Sequence, residues 1–149
     1  MTRLINIAGG LSTAVALGAI AFSNVARADD KDVIEYREHI MNTLNAQTSA
    51  IGMIVSTQIP EDNLVQHVEA IALTAKQALK SFEPKVQGGE SKPEVWTNWP
   101  DFEKRMKDFV ARTDKLAKDA KTGGTLVVME QMVDALTCKS CHDIYRTNK

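Results

Sequence analysis

Apolar residues recur along most of this chain at intervals of three and four, the spacing that stacks them on one face of an α-helix. From Lys31 they fall at Val33, Ile34, Ile40, Met41, Leu44, Ile51 and Val55. Ile59-Pro60 ends that run, and Pro60 followed by Glu61 and Asp62 suits a new helix with acids in its first turn. A second stripe follows at Leu64, Val68, Ile71, Ala75, Ala78, Leu79 and Phe82, and stops before Pro84. Residues 86–91 hold a Gly-Gly pair and read as the longest loop. Ser91 to Glu94 has capping-box spacing, but Pro100 restricts it to a short turn, so the main third helix is expected to start with Asn98 as N-cap. Its stripe is Phe102, Met106, Phe109, Val110, Leu116, Ala117 and Ala120, closed by Gly123-Gly124. Thr125 is placed to cap a last helix carrying Leu126, Met129, Val133, Leu136 and Ile144. Four helices of about 20 residues with mostly short connections predict an all-α fold, an antiparallel four-helix bundle.

The start of the chain follows a different pattern. Arg3 precedes an uncharged stretch from Leu4 to Phe22, and Ala26-Arg27-Ala28 sets small residues at the −3 and −1 positions of a secretory cleavage site. An uncleaved membrane anchor competes, since the stretch nearly reaches spanning length, but Gly9, Gly10, Ser12, Thr13 and Gly18 dilute it. Residues 1–28 are therefore expected to be a cleaved signal peptide. Residues 29–149 are expected to form one domain exported to the periplasm, with no stable membrane insertion after cleavage. Cleavage removes Arg3 and Arg27 but no acid, taking the formal charge from −1 to −3. That balance argues against a nucleic-acid partner. At 44% apolar the chain is not disordered, and with 8 Gly and 4 Pro it lacks the punctuation of an all-β fold.

Chemistry concentrates at the C-terminal end. The 2 cysteines, Cys138 and Cys141, stand directly before His142. Cys-x-x-Cys-His is the attachment signature of c-type haem. On a helix these three positions share a face, so two thioethers can hold the porphyrin edge while the histidine reaches the iron. The expected cofactor is one haem c per chain, with Cys138 and Cys141 as covalent anchors and His142 as proximal iron ligand. A disulfide between residues three apart in a helix would staple almost nothing, although exported proteins favour disulfides. A dithiol oxidoreductase carries its pair early in a strand-helix unit of an α/β fold, and zinc would need a fourth ligand. Thiol-disulfide exchange is the enzymatic alternative. No paired carboxylates or nucleophile-base arrangement points to hydrolysis, and the protein is not expected to be an enzyme.

No methionine follows His142, so a sixth iron ligand would have to come from upstream. Met41, Met53, Met106, Met129, Met132, His39 and His67 are the candidates. Met129 and Met132 share the proximal helix, Met106 reads as core, and both histidines read as surface residues. Met41 lies mid-stripe on the first helix, where a cofactor between helices would meet it.

The segment Thr137-Cys138-Lys139-Ser140-Cys141-His142-Asp143-Ile144-Tyr145-Arg146 resembles the end of class II c-type cytochromes, the group of cytochromes c′ and cytochrome c-556. Signal peptide, four helices and a C-terminal attachment motif agree with that group across the chain. Tyr36-Arg37-Glu38-His39-Ile40-Met41 resembles its distal segment, and Pro93-Glu94-Val95-Trp96 the segment before its third helix. The resemblance implies that Met41 faces the distal side of the haem. High-spin cytochromes c′ generally carry a non-ligating apolar residue there, whereas the low-spin cytochrome c-556 branch carries a methionine that binds iron. The expectation is therefore a periplasmic electron-transfer cytochrome with one low-spin haem c and His142 and Met41 as axial ligands. The alternative is a five-coordinate, high-spin cytochrome c′ binding nitric oxide or carbon monoxide at an open distal site. The resemblance also suggests a haem-propionate contact for Arg37, against the plainer reading of a solvated charge. Arg146, four residues beyond His142, is placed to sit beside the imidazole, and Trp96 and Trp99 either wall the haem or pack in the core. Redox partner proteins are expected. A homodimer through the first two helices is common in the family, and the sequence leaves it open.

Overall fold

Asp29 starts the first helix of the computed structural model, which describes residues 28–147. The signal peptide read over residues 1–28 lies outside them, Ala28 apart. Helix α1 (Asp30–Val55) begins where the Asp29 carboxylate accepts from the Asp32 amide at 2.8 Å, with Asp30 and Asp32 adding negative charge to the first turn. After one 3₁₀ turn at Glu61–Asn63, α2 runs over Leu64–Phe82. The loop through Gly88-Gly89 leads to a single turn, α3 (Glu94–Thr97), then to the long α4 (Trp99–Ala135) and to α5 (Cys138–Tyr145). Among the described residues there is no strand, only the isolated bridges Gly88–Ser91 and Ser91–Arg146.

Helix α4 is two bundle arms joined without a loop. Gly124, at φ 57° and ψ −149°, leaves helical geometry in a region that glycine alone enters readily. The chain folds back there: Gln131 donates to the Asp119 carboxylate at 2.9 Å and accepts from Lys115 at 3.2 Å, across what would otherwise be several helical turns. Together α1, α2 and the two arms of α4 make the four-helix bundle.

Local chemistry departs from the sequence reading at three points. Asn98 occupies the N-cap position of α4 but makes no side-chain cap; its amide donates instead to the Tyr145 hydroxyl at 3.4 Å. The Thr125 hydroxyl bonds the Glu61 carboxylate and so ties the second arm to the turn before α2. The last helix, read as continuous from Thr125 to Ile144, breaks at Leu136 and Thr137. The Leu136 amide closes the arm on the Met132 carbonyl at 2.8 Å, and the Cys138 amide donates back to Leu136 at 2.8 Å. The break frees α5 to re-aim and sink Tyr145 into the bundle.

Two apolar clusters fill the interior. The first joins Ile51, Ile54, Leu64, Val68, Ile71, Leu116, Ala120 and Val128. The second joins Ile40, Ala78, Phe82, Val95, Phe102, Met106 and Tyr145, with Met41, Leu44, Trp96, Trp99 and Cys141 packed against it. Burying each large side chain contributes about 1.5–3 kcal/mol. The second cluster is where α5 docks. The Tyr145 ring meets Phe102 edge-on at 5.1 Å, and its hydroxyl donates to Asp101 at 2.6 Å. On its other flank the Lys92 amide donates to the Tyr145 carbonyl at 2.9 Å and the Thr147 amide to the Glu90 carbonyl at 2.8 Å.

Replacing Gly124 by Ala forces a side chain into a backbone region that costs about 1–3 kcal/mol. Gly124→Ala is therefore expected to lower the urea midpoint. Gly52→Ala, in mid-α1 with nothing within 4 Å of the added methyl, is expected to raise stability by about 0.5–1 kcal/mol. Tyr145 supplies a pH test. Burial, then the bond to Asp101, pushes its hydroxyl from 10 up to about 12. A raised value means the fold favours the protonated phenol, so its contribution is complete below pH 10 and is lost as pH rises to about 12. Tyr145→Phe is expected to cost about 0.5–1.5 kcal/mol at neutral pH. In urea titrations that deficit against the unmutated protein should shrink between pH 10 and 12.

Candidate functional site

Cys138, Cys141 and His142 all lie on α5, Cys138 exposed and the other two half-buried. The pair is not joined by a disulfide. Partial loss of solvent around the sulfurs pushes both thiols above their ordinary value, with the Arg105 charge opposing the rise at Cys141. A thiol-disulfide exchanger needs the opposite, a thiol lowered toward thiolate. Burial, helped by the positive charge of Arg146, holds His142 below its ordinary value. A neutral imidazole keeps a nitrogen lone pair free for a metal. Among the described residues no group of three His, Cys, Asp or Glu is placed to hold a metal ion by itself.

Arg37 on α1 is buried, only 3% exposed, rather than solvated. Its guanidinium carbon lies 4.4 Å from the centre of the Phe82 ring and 5.5 Å from that of Trp96. One terminal nitrogen donates to the Val86 carbonyl at 3.0 Å and the other to the Ser91 hydroxyl at 3.4 Å. Burial lowers its pKa, though a guanidinium stays charged. Among the described residues its Nε has no hydrogen-bond partner, and neither do Trp96 Nε1 and, elsewhere, Arg112 Nε. A buried donor left unpaired costs about 1–3 kcal/mol, and a carboxylate is the acceptor that two such donors suit. Two thiols, a neutral imidazole and two unpaired buried donors fit a haem with its propionates, through Cys138, Cys141, His142, Arg37 and Trp96.

The other sequence candidates separate cleanly. Met41 is partly buried and packs against the second cluster, as Cys141 does. Met106 is buried in that cluster, whereas Met132 packs against the first, and Met53 and Met129 are exposed. His39 is exposed beside Glu35 at 3.6 Å, and His67 meets Gln47 at 2.7 Å. Arg146 is committed to Glu90, its Nε donating at 2.6 Å, and acts on His142 through its charge.

A network that sequence reasoning missed supports the motif from below. Asp101 accepts from Tyr145 and from Arg105 Nε, each at 2.6 Å, and these two bonds hold its carboxyl below the usual range. The four-residue spacing of Asp101 and Arg105 is visible in the sequence, but it sits in a run of alternating charges that reads as a solvated face. Nothing local signals Tyr145, 44 residues further along the chain.

Comparison with known proteins places this arrangement. The family profile described as Cytochrome C' matches residues 32–146. The cytochrome c' of Alcaligenes xylosoxydans xylosoxydans is 26% identical over 125 residues, covering 82% of this chain and 98% of that protein. That of Rubrivivax gelatinosus is 27% identical over 121 residues, covering 77% and 94%. A nitric oxide complex of a mutant cytochrome c prime from Alcaligenes xylosoxidans superposes with a TM-score of 0.76 at 25% identity, over 83% of this chain and 99% of that one. The cytochrome c prime from Shewanella frigidimarina, at 22% identity and a TM-score of 0.74, shares the fold over 82% of this chain and 99% of its own. The chain belongs to the cytochrome c′ family, whose members carry one covalently attached haem c per chain.

Proposed function

We propose that this protein is a periplasmic, five-coordinate haem c protein that takes up nitric oxide or carbon monoxide on an open distal side. Cys138 and Cys141 are its thioether anchors and His142 its proximal ligand. The observation that carries this reading is the likeness to cytochromes c′, among them one of 25% identity over 83% of this chain whose structure holds nitric oxide. The low-spin electron carrier expected from the sequence draws no support from these relatives. Held by Cys138, Cys141 and His142, a haem would supply a redox-active iron able to bind a small gas.

The chain's part is to hold and orient that group. His142 stays neutral through burial and the nearby Arg146 charge. Arg37 Nε and Trp96 Nε1 offer donors to a carboxylate inside the bundle, where low dielectric strengthens such bonds. Met41, packed against the second cluster, contributes an apolar wall that keeps water from the distal side. Export rests on the Ala26-Arg27-Ala28 exit of the N-terminal segment.

A second reading has one observation in its favour. Met41 packs against the same cluster as Cys141, so its thioether is a candidate sixth ligand, which would make the protein a low-spin electron carrier. Absorption spectra of the ferric and ferrous protein, with and without carbon monoxide and beside Met41→Ala, separate the two. The five-coordinate reading expects broad high-spin bands, a clear carbon monoxide response in the unmutated protein, and no change of spin state in the variant. Sharp ferrous bands and indifference to carbon monoxide, both reversed by Met41→Ala, would replace it with the second reading.

A further inference from the structure

The outward face of the last bundle arm carries an apolar stripe that no other element covers among the described residues. Leu126 and Val133 are each 74% exposed and Met129 is 48% exposed. Their spacing of three and four residues stacks them along one side of the helix. The other side does the packing: Val128 and Ala135 are buried in the first cluster, and Met132 and Leu136 lie against it. Large apolar side chains exposed in a row mark contact surfaces. This row ends five residues before Cys138, itself exposed, so it runs up to one of the two haem tethers.

Charge identifies the occupant. Residues 125–135 contain Glu130 and Asp134, both exposed, and no Lys or Arg. Three bases nearby are paired with acids, Lys115 with Asp119, Lys121 with Glu69 at 2.8 Å and Lys139 with Asp143 at 2.8 Å, and Arg112, which is not exposed, is turned to the Thr137 hydroxyl at 3.1 Å. A second copy docking on this stripe through a two-fold axis would set the same acids against themselves. A partner with a basic rim around an apolar contact would meet them with opposite charge.

We propose that Leu126, Met129 and Val133, rimmed by Glu130 and Asp134, form the docking surface for a basic one-electron redox protein. One electron passes between the two metal centres: when the haem iron here goes from ferrous to ferric, the partner's centre is reduced by one electron, and the reverse when the iron is reduced. No proton or group moves. The proposal rests on haem attachment at Cys138 and Cys141 and holds whichever axial reading is correct.

The test mixes the ferrous holoprotein, without oxygen, with a ferric, strongly basic cytochrome c that carries lysines around its haem edge, and follows both spectra by stopped flow. Val133→Lys and Glu130→Lys are expected to slow the second-order reaction about tenfold each, and the unmutated rate should fall as salt rises. Glu83→Lys, the same charge change at the end of α2, should leave the rate within about twofold. Wild-type rates in Val133→Lys and Glu130→Lys, an equal loss in Glu83→Lys, or no reaction in the unmutated protein would overturn the proposal. So would a holoprotein dimer that Val133→Lys splits, which would assign the stripe to a second copy. Failure of haem attachment would show separately, as a purified chain with no haem spectrum before mixing.

Discussion

The burial of Tyr145 against Phe102, with its hydroxyl on Asp101, fixes where the cysteine-bearing helix lies. Helix α5 is only eight residues long, too short to hold itself together in water. Its position comes from that one ring, 3% exposed, and from the backbone bonds that Lys92 and Thr147 make on either side of it. Cys141 and His142 sit one turn before the ring, so their direction follows from its docking. Asp101 in turn is oriented by Arg105 on the same arm of α4, so the Tyr145–Asp101 bond ties the motif to that arm.

The second consequence is the unfinished polarity of the same cluster. A well-packed core leaves few buried donors unpaired, yet among the described residues Arg37 Nε and Trp96 Nε1 are both unpaired, on side chains whose guanidinium and ring lie 5.5 Å apart. The cluster that receives α5 therefore also borders two buried donors without an acceptor. Such a pair has a natural explanation in a family whose members each carry a haem c, since the propionates supply carboxylates. Arg37 cannot be a solvated surface charge, because its guanidinium is stacked over Phe82 and bonded to the Val86 carbonyl.

Much of this was legible from spacing alone. The stripes over Val33 to Val55 and Leu64 to Phe82 located α1 and α2, because helix periodicity is a local property of the chain. Gly123-Gly124 located the turn between the arms, since only glycine enters that backbone region readily. The Cys-x-x-Cys-His motif marked the candidate site for the same local reason. What escaped was long-range. The break at Leu136 and Thr137 carries no Gly or Pro, and it accompanies the docking of a ring eight to nine residues later. Asn98 and Thr125 stand where caps are expected, but each finds a tertiary partner in Tyr145 or Glu61. Glu90 and Arg146 are 56 residues apart and meet only in the folded chain.

The account stands on covalent attachment of one haem through Cys138 and Cys141. The most direct measurement is the intact mass, under denaturing conditions, of the protein exported from cells equipped to mature c-type cytochromes, beside the double variant Cys138→Ser/Cys141→Ser. A chain heavier by one haem that denaturation does not release is expected, and a variant without that increment. A chain of unmodified mass, or one lighter by two hydrogens through a Cys138–Cys141 disulfide, would contradict it.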